Sequence, residues 1–76
     1  MLTNIDKGLM EVVLEAHRVG FTVSSNFARE RADYVGMAAS MGYISTRVHR
    51  NVFSRDWRPT VQGLAWLNSM ELTNEE

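Results

Sequence analysis

The stretch that most constrains this chain is residues 24–46, SSNFARERADYVGMAASMGYIST, which carries start and stop signals for two short helices and then changes its period. Ser24, Ser25 and Asn26 can each turn a side-chain oxygen onto an unpaired N–H of a first helical turn. Phe27, Ala28, Ala32, Val35, Ala38 and Ala39 recur mostly three and four residues apart, so one side of helical backbone is apolar. Asp33 is placed to cap a second helix after a tight break, and Gly42 suits the left-handed position just past its end. Gly36, Ala38, Ala39 and Ser40 are small enough for another helix to pack across them. The run Tyr43-Ile44-Ser45-Thr46 is aromatic and β-branched, which favours a strand.

The flanking segments fit around this unit. Thr3 with Asp6 approximates a capping box. Ile5, Leu9, Val12, Ala16 and Val19 then form an inner helical face opposite Lys7, Glu11, Glu15 and Arg18, up to a stop at Gly20. Phe21-Thr22-Val23 is a short connector with Phe21 and Val23 buried, so the first two helices must be neighbours. On the other side, Ile44, Thr46 and Val48 alternate with Tyr43, Ser45, Arg47 and His49. Across a turn at about Arg50-Asn51, Phe53, Arg55 and Trp57 alternate with Val52, Ser54 and Asp56. Period-two alternation on both sides of a polar turn predicts a β-hairpin. Pro59 has no N–H for a ladder and ends the second strand, and Thr60 caps a last helix with Val61, Leu64, Ala65 and Leu67 inside. Gly63 on that helix allows a neighbour to approach closely.

The predicted fold is a small α+β, winged helix-turn-helix-like domain: three helices, a two-stranded β-hairpin wing and a C-terminal helix. Residues 1–70 form the single domain, and residues 71–76 are a polar, frayed tail. The exit from the wing, Trp57 through Leu67, has the aromatic, Thr-x-x-Gly and later Leu of such a fold. Winged helices bind DNA, RNA and proteins, so the fold alone does not give the function.

At 76 residues the core is small, and a monomer or weak homodimer is expected. The chain has no cysteine, no long apolar run and no signal-peptide pattern, which points to a reducing cytoplasm without membrane insertion. No cofactor or metal is expected: the two histidines lie on different elements, with His17 read as a packing residue. The serines lack a His and acid pattern, and no glycine-rich phosphate loop follows a strand. Enzyme activity is therefore not expected.

Charge separates along the chain. Residues 1–17 sum to −2 and residues 59–76 to −3, whereas residues 18–58 carry seven arginines and sum to +4. Arginine forks onto carboxylate or phosphate, so a negatively charged partner is expected for the middle of the chain. A DNA-reading helix-turn-helix presents Arg, Lys, Asn or Gln from its second helix to base edges. Residues 33–41 contain none of these and offer Tyr34, Met37 and Ser40 with an acidic cap. Sequence-specific DNA reading is disfavoured. A protein with an acidic patch suits arginines mixed with aromatics and methionines. The alternative is a winged-helix DNA-binding regulator that contacts phosphates non-specifically.

The pieces Ser25-Asn26-Phe27-Ala28-Arg29, Ala38-Ala39-Ser40-Met41-Gly42-Tyr43-Ile44-Ser45, and Trp57 with Thr60 and Gly63 resemble a family of small proteins from short-tailed lytic phages of enteric bacteria. The resemblance runs without gaps over residues 25–63. Members of that family inhibit host RNA polymerase holoenzyme carrying the stationary-phase sigma factor. The resemblance implies a blocker that hinders open promoter complex formation in the host cytoplasm. It also implies a functional role for Arg29, the arginine after Ser-Asn-aromatic-x. Direct carry-over puts Val52 where the family has a second functional arginine in its wing, with Arg50 and Arg55 as substitutes if the turn shifts. The candidate partner-binding set is Arg29, Arg31, Arg47, Arg50 and Arg55. The alternative for Arg29 is an intramolecular pair with Asp33 at i+4.

Overall fold

The computed structural model describes residues 3–74. Among them are four helices and a three-stranded antiparallel sheet, in the order α1 (Asn4–Arg18), β1 (Phe21–Thr22), α2 (Asn26–Glu30), α3 (Ala32–Ser40), β2 (Ile44–His49), β3 (Val52–Pro59) and α4 (Val61–Asn74). The chain is a small α+β domain, and its sheet order is β1-β3-β2.

Helix α1 starts on the expected reciprocal cap: the Asp6 N–H donates to the Thr3 hydroxyl, and the Thr3 N–H donates to the Asp6 carboxylate. Its buried face is Leu9, Val12, Val13 and Ala16. Ile5 and Val19, expected inside, are exposed because the helix overhangs the core at both ends. His17 is exposed too, so it is not a packing residue. Ser25 caps α2 by accepting the Ala28 N–H. Asp33 does not cap α3: that helix follows α2 through Arg31 alone, with no side-chain cap, and Asp33 sits in its first turn. This tight corner also leaves Ala32 in solvent while Ala28, Val35 and Ala38 are buried.

The connector after α1 is more than a linker. Phe21 and Thr22 pair with Trp57 and Asp56 of β3, which makes the third strand and buries Phe21. Val23, expected inside, is exposed, although its N–H continues the pairing by donating to the Arg55 carbonyl. The β2–β3 hairpin turns at Arg50-Asn51, with Asn51 left-handed at φ 58. Strict alternation fails midway: between paired positions Ser45↔Arg58 and Arg47↔Phe53 the chain takes two steps along β2 and five along β3. Ser54 fills this irregular patch, donating to the Thr46 and Asp56 carbonyls and accepting the Asp56 N–H.

Helix α4 is fastened to the hairpin by Thr60. Its hydroxyl accepts the Gly63 N–H at 2.9 Å and donates to the Gly42 carbonyl at 2.5 Å, while the Thr60 N–H donates to the Tyr43 carbonyl at 2.9 Å. The inner face of α4 is centred on Gly63 and Leu67; Val61 and Ala65, expected inside, face solvent. Trp66 is half-buried and stacks on Tyr43 with ring centroids 4.7 Å apart. The helix continues through Glu71 to Asn74, so this part of the expected tail is helical, and Glu75 and Glu76 lie outside the described residues.

Candidate partner-binding surface

The five candidate arginines fall on two parts of the fold. Arg29 and Arg31 lie at the α2–α3 corner, and Arg47, Arg50 and Arg55 lie on the hairpin. The corner is a consequence of chain chemistry: α2 lasts only until its cap, the Arg31 N–H closes onto the Phe27 carbonyl, and α3 begins at once. A shallow hollow of about 140 Å³ opens there, lined by residues 29–34.

Arg31 is engaged within the chain. Its Nε donates to the Glu11 carboxylate of α1, its Nη1 stands 3.6 Å from Glu30, and its guanidinium lies 5.4 Å from the Phe27 ring centre. The hydrogen bond and the negative charge of Glu11 hold the Arg31 pKa above its usual value. A raised pKa means that this contribution to stability is complete below the ordinary guanidinium range and is lost only as pH rises through the folded value. The pair therefore clasps the α2–α3 corner to α1. In a double-substitution cycle, Arg31→Ala and Glu11→Gln are expected to couple, and the coupling should shrink with added salt because both side chains are partly exposed. Urea denaturation at low and high salt measures it.

Arg29 does not pair with Asp33. Its Nη2 donates to the Asn26 side-chain oxygen at 2.7 Å, one turn back, which points the guanidinium along α2, and it makes no ion pair with any described residue. On the hairpin, Arg47, Arg50 and Arg55 are exposed and make no ion pair with any described residue. Arg55 is joined through its backbone to the segment just before the α2 cap, since its carbonyl accepts from the Val23 N–H. The two groups otherwise remain separate features of the surface.

The exposed residues of α3 are Ala32, Asp33, Gly36, Met37 and Ser40. None can donate to a base edge in the way that Arg, Lys, Asn or Gln does, and Asp33 would face phosphates with its own negative charge. Among the described residues, no group of three His, Asp or Glu side chains is placed to hold a metal ion, and no helix is long and apolar enough to cross a membrane. Sequence reasoning assigned no role to Phe53, yet 66% of it is exposed on the strand that carries Arg55. Its position in an arginine-rich alternating segment was the available signal. The chain matches no protein-family model, no curated protein and no solved structure.

Proposed function

We propose that this protein is a small inhibitor of bacterial transcription initiation, which docks on host RNA polymerase holoenzyme carrying the stationary-phase sigma factor and hinders open promoter complex formation. The fold is read as a winged helix in which α2–α3 is the helix-turn-helix, β2–β3 is the wing and β1 is a short additional strand. The observation that carries the reading is the combination of exposed arginines that make no ion pair with a described residue and an α3 face without the Arg, Lys, Asn or Gln that grip base edges bidentately. Arg29 lies in the resembling segment and makes no ion pair with a described residue, whereas Arg31 is paired with Glu11 and contributes to stability. Charges that become desolvated against an acidic protein patch contribute far more than the same charges in water. A phosphate-binding regulator would use the same arginines, but its binding would fall steeply with salt and would need no polymerase.

The test is transcription in vitro from one promoter by polymerase holding either the stationary-phase or the housekeeping sigma factor. Product should fall mainly with the stationary-phase sigma factor. Unchanged product with both would sink the proposal.

A further inference from the structure

The distal hairpin stands clear of the core. From Arg47 to Arg55 every residue except Ser54 is exposed, and Ser54 is half-buried because its hydroxyl is tied to the backbone of both strands. Within this segment Phe53 is a large ring with no aromatic partner among the described residues, unlike Phe21, Phe27, Tyr43 and Trp66, which pair with one another. Arg47 is the cross-strand partner of Phe53, and directly opposed residues on an antiparallel pair project from the same face. Arg55 follows two residues along the strand, and it is exposed like Phe53 while Ser54 between them is half-buried, which leaves both side chains on the solvent side of β3. The result is an Arg47–Phe53–Arg55 row with an open ring flanked by two unmatched cations.

We infer that this row is a binding site for an unpaired nucleic acid strand, in which one base stacks on Phe53 while Arg47 and Arg55 hold the flanking phosphates. Residues 44–59 carry four arginines against Asp56, a net +3 that complements a polyanion along the whole hairpin. An aromatic platform in a cationic groove is the usual construction for single strands, because every base has a face to stack and no edge need be read. Duplex DNA keeps its bases stacked on one another, so it can use the arginines but not the ring. This site does not depend on polymerase and stands or falls separately from the inhibitor reading.

The experiment is fluorescence anisotropy of the full chain with a labelled single strand of about 12 nucleotides, as DNA and as RNA, beside a duplex of the same sequence; that length is in the range one such site covers. Phe53→Leu keeps an exposed apolar side chain and removes the ring, Phe53→Tyr keeps the ring, and circular dichroism checks that each variant folds. Expected are tighter binding to the single strand than to the duplex, a loss of at least about fivefold with Phe53→Leu, and retention with Phe53→Tyr; fivefold is the lower end of what one base–ring stack contributes. Arg47→Gln with Arg55→Gln should weaken binding to both forms and flatten the salt dependence. Equal affinity for single strand and duplex with Phe53→Leu unchanged would overturn the site, leaving only non-specific charge attraction. Binding of polyglutamate as tight as that of the single strand would overturn it too, as would no binding of nucleic acid.

Discussion

Gly63→Ala is expected to cost about 3 kcal/mol or more, the larger part of the roughly 5 kcal/mol that so small a domain holds in reserve. A methyl group at this position would overlap the Tyr43 carbonyl oxygen and stand 2.8 Å from its carbonyl carbon and 2.9 Å from its Cα. That backbone cannot step aside easily. Its carbonyl accepts from the Thr60 N–H, the preceding Gly42 carbonyl accepts from the Thr60 hydroxyl, the Tyr43 ring is stacked on Trp66, and the next residue, Ile44, is among the most deeply buried side chains. Relief would require α4 to move away from the hairpin and to uncover Leu67. Gly36→Ala is the matching control, because nothing lies within 4 Å of a methyl added on the exposed side of α3. Removing a glycine from a helix interior there should stabilise by roughly 0.5–1 kcal/mol. Urea denaturation followed by tryptophan fluorescence reads both changes, and equal behaviour of the two variants would refute the close approach at Gly63.

The second large effect is expected in function. Arg29→Ala should raise the concentration needed for half-inhibition of the stationary-phase holoenzyme by about thirtyfold or more, the scale for truncating one partner of a buried interfacial charge pair. Stability should hardly change, since Arg29 is exposed and has only a local bond to Asn26. Arg31→Ala should show the opposite pattern. It releases the corner from Glu11 and lowers stability, while inhibition by the folded fraction stays close to that of the unsubstituted chain. Dose–response curves with the folded fraction measured alongside separate the two roles. Loss of inhibition with Arg31→Ala but not with Arg29→Ala would reverse the assignment.

Legibility in the sequence followed the range of the interactions. The Thr3–Asp6 box, the Ser25 cap, the Arg50-Asn51 turn, the end of β3 at Pro59 and the left-handed Gly42 are all set by neighbours within a few residues, and each was readable. The third strand was not, because Phe21 and Thr22 are too few to show a period and become a strand only by meeting Trp57 and Asp56. Register on β3 was hidden for a related reason: the irregular patch is held by Ser54 bonds to distant backbone, which a strict two-residue alternation cannot anticipate. The inner face of α4 was misread at Val61 and Ala65 since the contact surface is set by where Gly63 meets Tyr43. The arginines were visible as a group, yet only the spatial approach of α1 to the corner distinguishes matched Arg31 from unmatched Arg29.

The most direct test of the inhibitor reading is physical association of the purified chain with holoenzyme reconstituted on each sigma factor, followed by gel filtration with Arg29→Ala in parallel. The account expects the unsubstituted chain to travel with the stationary-phase holoenzyme and Arg29→Ala to elute alone. If the unsubstituted chain elutes alone from both holoenzymes, polymerase is not its partner.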